Sequence, residues 1–150
     1  MPMRNKGGKR ARRTARGQAT TEFALIATAL VMLLFGVIDV AYAIYSYNTV
    51  CYAAGMAIRY ASLNGASSSS PATSTTIQSL VMSMANGLEA TSACPASGAR
   101  ALCASTTWNP NSSAGSTVNI VVTYNFQPFA PFLPTAVLAL SSTQQMVIPD

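Results

Sequence analysis

Few side chains in this 150-residue sequence carry the groups that enzymes use for catalysis. There is no histidine, and the only acidic residues are Glu22, Asp39, Glu89 and Asp150. These carboxylates are widely separated in sequence and match no acid/base pair or metal-ligand pattern, and no glycine-rich phosphate loop or GxSxG motif is present. We therefore expect a protein that is not an enzyme and that needs neither a metal nor another cofactor.

Three cysteines supply the other reactive groups. Cys94 and Cys103 lie nine positions apart, and in an oxidising compartment a disulfide between them would close a small loop. Such a bond would stabilise a domain with a thin core by about 2 to 4 kcal/mol. Two free, buried thiols are the alternative. Cys51 is expected on a long helix, as a small packing residue or as one half of an intermolecular bridge.

The basic residues are concentrated at the N-terminus. Seven of the nine Lys and Arg residues fall within the first sixteen positions. A basic tail can bind nucleic acid or lipid, but this one runs directly into an uncharged segment from Phe23 to Ile38, which is typical of the cytoplasmic flank of a membrane helix. We therefore interpret residues 1–17 as a basic cytoplasmic leader and expect no nucleic-acid partner.

The apolar segment has the length of a membrane-spanning helix. About twenty residues at 1.5 Å each cross a hydrocarbon core of about 30 Å, which predicts a transmembrane segment over about residues 23–44. No proline occurs between Pro2 and Pro71. Residues 18–64 are therefore expected to form the long-helix region. Within it the helix should run from about Thr21 to Leu63 and stop at Asn64-Gly65.

The remaining sequence predicts a small region outside the cytoplasm, over residues 77–150, joined by a serine-rich linker over residues 65–76. An apolar stripe predicts a short helix from about Thr75 to Glu89, and alternation predicts a strand over residues 116–126. The segment AVLALSSTQQMVIP is expected to return as a second strand. The predicted fold class is α+β, with a long N-terminal transmembrane helix, a short second helix and a small antiparallel sheet.

Glu22 lies where the basic leader meets the apolar helix. An acid in the first turn of a helix interacts favourably with the macrodipole by about 0.3 to 1 kcal/mol. A carboxylate near the centre of the hydrocarbon instead costs about 2.5 to 3.5 kcal/mol, so deep placement would require a partner.

A resemblance suggests such a partner. Gly17, followed after four residues by Glu22 and Phe23, resembles the processing site of type IV pilin-like precursors, especially those of the tight-adherence (Flp) pilus. The resemblance implies that a prepilin peptidase cuts between Gly17 and Gln18 and that the new amine pairs with Glu22 of a neighbouring subunit. At about 4 Å this pairing would contribute roughly 1 to 4 kcal/mol. Gln18 and Glu22 of one helix also share a face.

The resemblance extends to TadE-like minor pseudopilins, through Gly36-Val-Ile-Asp39, through Arg59-Tyr60-Ala61 and through PFLP before the last strand. It implies a minor pilin-like subunit in the bacterial inner membrane, with a periplasmic C-terminal domain, that takes part in assembling an adhesive pilus. The implied partners are the prepilin peptidase, other pilins or pseudopilins, pilus assembly membrane proteins and the lipid bilayer. Gly55, Met56 and Ile58 depart from the family pattern.

Two other interpretations predict the same topology. Ala41-Tyr42-Ala43 fits a signal-peptidase site, which would release a secreted domain starting near Ile44. An uncut signal anchor would instead carry a surface-binding domain. Asp39 also has two interpretations. It is either an acid near the far interface, where its free-energy cost is small, or an intersubunit contact.

Overall fold

The structure is a computed structural model that describes residues 8–129 and 137–149, and over residues 8–16 it defines the course of the backbone alone. The chain divides into two compact units, Met1–Ile38 and Asp39–Asp150. The PFLP motif and residues 1–7 of the leader lie outside the described residues.

A single long helix, α1, runs from Gly8 to Leu63. It begins earlier than predicted because the lysine, arginine and alanine residues before Gly17 are good helix formers and no proline interrupts them. It ends where predicted, and both the backbone N–H and the side-chain amide of Asn64 donate to the carbonyl of Tyr60. The part from residue 17 onward is long and apolar enough to cross a membrane, with a mean hydropathy of 2.5 over its most apolar window.

The second unit contains a four-stranded sheet in the order β1-β2-β3-β4. Strand β1 is Thr91–Ser92, β2 is Ala101–Asn109, β3 is Thr117–Phe126 and β4 is Leu138–Val147. The pairs β2–β3 and β3–β4 are antiparallel, as expected, whereas β1 pairs with β2 in parallel. The α+β fold class is therefore confirmed, with a mixed sheet in place of a fully antiparallel one.

The short helix α2 runs from Ser74 to Met84. Thr73 is its N-cap, and it forms a capping box with Thr76, which satisfies backbone groups that the first turn leaves unpaired. The helix stops five residues before the predicted Glu89 because the chain turns at Gly87, whose φ is +81°. Left-handed φ values are readily adopted by glycine, so this residue ends the helical pattern.

The core lies between one face of the sheet, α2 and the outer half of α1. Alternate residues of β3 are buried, as the sequence alternation predicts. The buried hydrophobic residues of α1 are mostly small: Val50, Ala53, Ala54, Ala57, Ile58 and Ala61. Small side chains allow the helix backbone to approach the sheet closely, so the alanine-rich stretch packs against the protein's own domain.

Candidate functional site

The predicted processing residues lie within α1 and are exposed. Gln18 and Glu22 are one helical turn apart, and Phe23 is 72% exposed. The hydroxyl of Thr21 donates to the carbonyl oxygen of Gln18 at 2.8 Å, a local contact within the helix. The segment is therefore open to an enzyme or to another subunit.

Gly17 has no structural reason to be glycine in the folded chain. A Cβ atom built at this position would meet nothing within 4 Å. Glycine inside a helix is less stable than alanine by about 0.5 to 1 kcal/mol. Packing within the described residues therefore does not account for the glycine at this position.

Asp39 lies in the second unit and is buried there, with 5% of its surface exposed. Its Oδ1 accepts a hydrogen bond from the backbone N–H of Phe129 at 2.9 Å. The acid therefore has a partner in its own chain, in the loop that follows β3. An intersubunit role for Asp39 stays a prediction.

Cys94 and Cys103 form a disulfide, with their Cα atoms 5.0 Å apart. The predicted small loop is therefore closed, and the alternative of two free thiols does not apply. Cys51 is free and half-buried on α1. Within residues 8–129 and 137–149, no three histidine, cysteine or acidic residues are grouped closely enough to hold a metal ion.

Gln78 on α2 binds the backbone of β2. Its Nε2 donates to the carbonyl of Leu102 at 2.9 Å, and its Oε1 accepts from the N–H of Ala104 at 2.6 Å. The side chain thus continues the hydrogen bonding of the β2 edge beyond the two-residue strand β1. The sequence analysis missed this residue. The only indication of its role in the sequence is that its polar amide lies directly beside the apolar stripe of α2.

A cluster of aromatic residues joins α1 to the sheet, and the sequence analysis missed it too. The rings of Tyr42 and Phe126 are 5.6 Å apart, and the hydroxyl of Tyr45 donates to the carbonyl of Asn86 at 2.9 Å. Burial, reinforced by the neighbouring Tyr42, raises the pKa of Tyr124 to about 12. These contacts fix the helix register against the sheet at the end where the loop of Phe129 lies.

The fold and the exposed segment define a class of protein: one apolar helix that could span a membrane, followed by a small α+β domain. Residues 17–59 match the family model described as TadE-like protein. The predicted resemblance to TadE-like proteins is thereby confirmed over this part of α1. No curated protein and no solved structure gives a significant match.

Proposed function

We propose that the protein is a minor pilin-like subunit in the assembly of a Tad (Flp) pilus. In this proposal α1 spans the bacterial inner membrane with its N-terminus in the cytoplasm, and the α+β domain lies in the periplasm. A prepilin peptidase removes residues 1–17. The partners of the mature chain are other pilins or pseudopilins and the membrane proteins of the assembly machinery.

The observation that carries the proposal is the position of the family match. It begins at Gly17, the residue before the predicted cut, and continues through Glu22 and Asp39 into the alanine-rich stretch, where it ends at Arg59. The matched segment therefore combines the processing motif with the helix that would remain after cleavage. The structure adds that a Cβ atom at Gly17 would meet no atom of the described residues within 4 Å.

The proposed role of Glu22 depends on that cut. Its side chain is exposed on α1, so it is free to approach a charge on another molecule. Cleavage after Gly17 would create an amine at Gln18, which is largely protonated at neutral pH. A carboxylate and an ammonium group in contact within a bilayer attract each other more strongly than in water. Pairing with a neighbouring subunit would thus favour assembly.

The structure favours this proposal over release of a domain starting near Ile44. Such a cut would remove Asp39, which binds the loop of Phe129, and Tyr42, which packs on Phe126. It would also divide α1 within the unit Asp39–Asp150. The domain thus uses residues that a conventional signal cleavage would discard.

The decisive experiment is to determine the N-terminus of the mature chain by intact mass and N-terminal sequencing. We expect the wild type to begin at Gln18. The Gly17→Ala variant should stay uncut, because its folded structure has room for the methyl group and the change affects peptidase recognition alone. The matched control is Gly36→Ala, a second helical glycine with nothing within 4 Å of its Cβ position, which should mature normally.

The Glu22→Gln variant separates processing from assembly. It keeps the size of the side chain and removes its charge, so it should be cut after Gly17 yet incorporate poorly into pilus complexes recovered by co-purification. A wild-type chain that starts near Ile44 would support the secreted domain instead. An untrimmed leader would support the signal anchor.

A further inference from the structure

Two contacts place one end of the sheet at the level of the outer part of the apolar helix. The N–H of Phe129 is 2.9 Å from Oδ1 of Asp39, and the ring of Phe126 is 5.6 Å from that of Tyr42. Leu138 pairs with Phe126 in the sheet register, so the start of β4 lies at this level too. We call Phe126–Phe129 together with Val137–Leu138 the domain rim.

The rim lies at a depth that lipid would reach. A hydrocarbon core of about 30 Å takes about twenty helical residues, so a span that begins at Phe23 ends near Tyr42. Asp39 is three residues earlier in α1, which is about 4.5 Å inside that boundary. Tyrosines are enriched where membrane meets water, and Tyr42 and Tyr45 mark this position. The backbone of Phe129, bound to Asp39, then also lies within the boundary.

The chemistry of the rim suits an apolar environment. Phe129 is 74% exposed, Leu138 54% and Val137 44%. Neither residues 126–129 nor residues 137–149 include a charged side chain. In water the exposed apolar surface of these side chains is unfavourable in free energy. Contact with lipid chains would remove that surface from water.

Apart from Asp39, two charged side chains lie near the residue that precedes the rim. Arg100, whose backbone N–H donates to the carbonyl of Asn125 at 2.7 Å, forms an ion pair with Glu89. Asn125 is one residue before Phe126 and therefore further from the loop. This ion pair would face the lipid headgroups, which tolerate charge, while the uncharged rim lies deeper.

We propose that the domain rim inserts into the adjacent leaflet of the bilayer, with Phe129 as its main lipid contact. This inference rests on the membrane-spanning role of α1 in the proposed function. It explains how Asp39 is accommodated near the end of a membrane helix. The backbone N–H of Phe129 is a donor to the buried carboxylate, so that lipid meets Phe129 and not the acid.

The test measures the depth of labelled side chains in vesicles. Full-length protein carrying Cys51→Ser, with its Cys94–Cys103 disulfide intact, receives a single new cysteine bearing an environment-sensitive fluorophore. The test position is Phe129→Cys, which keeps the backbone N–H that binds Asp39. Val31→Cys on the apolar helix reports membrane insertion, and Ser69→Cys in the exposed serine-rich loop reports water. Vesicles of zwitterionic and anionic phospholipid contain brominated acyl chains as quenchers.

We expect the label at residue 129 to show a blue-shifted emission and clear quenching, weaker than at residue 31 because the rim lies near the boundary, while the label at residue 69 shows neither. Quenching at 31 with a water-like signal at 129 would overturn the inference and leave the membrane span intact. A water-like signal at both positions would overturn the membrane-spanning premise as well. A blue shift at 129 without quenching would show that protein, and not lipid, covers the rim.

A second variant controls for the replacement and labelling of Phe129 itself. In Phe129→Ser, the label is placed at Leu138→Cys, the other strongly exposed rim position. Loss of the apolar anchor should shift the emission at 138 toward its value in water, relative to the same label beside the native Phe129. An unchanged emission would contradict the role assigned to Phe129. Amide protection in the sheet, measured by hydrogen exchange, verifies that each variant is folded.

Discussion

Asp39 and Phe129 are ninety residues apart in sequence, and a hydrogen bond from the backbone N–H of Phe129 to Oδ1 of Asp39 joins them at 2.9 Å. The bond connects the helix α1 to the residues that follow strand β3. The buried carboxylate thus acts as an internal acceptor for a backbone donor from a distant part of the chain.

The type of side chain at position 39 should therefore matter more than its charge. Asp39→Asn keeps an oxygen acceptor of the same geometry, whereas Asp39→Leu leaves the Phe129 N–H without this partner. We expect the leucine variant to lose about 1 to 3 kcal/mol of unfolding free energy and the asparagine variant to lose less. Thermal unfolding in detergent, with hydrogen exchange at the Phe129 amide, measures both effects. Equal losses in the two variants would contradict this account.

Gln78 should contribute to stability through the β2 edge. In Gln78→Leu the carbonyl of Leu102 and the N–H of Ala104 lose their side-chain partner. The carbonyl of Leu102 still accepts from the N–H of Ala93 at 3.2 Å, so the loss falls mainly on the N–H of Ala104, and leaving this partly buried donor unpaired should cost about 1 to 3 kcal/mol. Ser79→Ala is the control, since Ser79 is exposed and bonds only within its own helix, to the carbonyl of Thr76. Chemical denaturation should separate the two variants, and similar midpoints would rule out the proposed role of Gln78.

The sequence predicts those elements whose signal is local. Helix α1 follows from an uninterrupted helix-forming run, and β3 follows from the alternation of Val118, Ile120 and Val122 with polar residues. Strand β2 gives no comparable signal, because Ala101, Ala104 and Ser105 have low strand propensity. It is extended because it pairs with β3 along its length and is tied to Cys94 by the disulfide.

The same distinction between local sequence signals and long-range contacts applies to the candidate site. Gly17, Glu22 and Phe23 are recognisable because they form a short motif at a fixed spacing. The partners of Asp39 and Gln78 come from distant parts of the chain, and single-sequence patterns do not encode which backbone group a polar side chain will meet. The burial of Asp39 could therefore not be predicted from the sequence, because it depends on the fold.

The disulfide should stabilise the unit Asp39–Asp150. Its loop is short, with a sequence separation of nine, and replacing both Cys94 and Cys103 by serine should cost about 2 to 3 kcal/mol through the entropy of the unfolded chain. Urea unfolding with and without reductant measures this cost. Reductant should destabilise the wild type and leave the double variant unchanged. Cys51→Ser is the control, and it should retain the full sensitivity to reductant because that cysteine takes no part in the bond.

Tyr124 should make the domain less stable at high pH. Burial favours the neutral phenol and raises the pKa of Tyr124 to about 12, from an ordinary value of 10.0. Between these values the unfolded chain releases a proton that the folded chain retains, so the contribution of Tyr124 is complete below pH 10 and is lost as the pH rises through 12. Tyr124→Phe cannot ionise, and its unfolding free energy should fall less steeply over this interval than that of the wild type.

The matched control for Tyr124 is Tyr52→Phe, at an exposed position of α1. It removes a phenol from the helix surface and leaves Tyr124 in place, so the steep loss of stability that Tyr124 causes should remain. Urea denaturation of the three proteins at a series of pH values from neutral to alkaline gives the comparison. Below pH 10 the Tyr124→Phe variant should differ from the wild type by a nearly constant amount, because only its contact with the Tyr42 hydroxyl is lost. Parallel curves for wild type and Tyr124→Phe above pH 10 would show that Tyr124 ionises equally in the folded and unfolded chains.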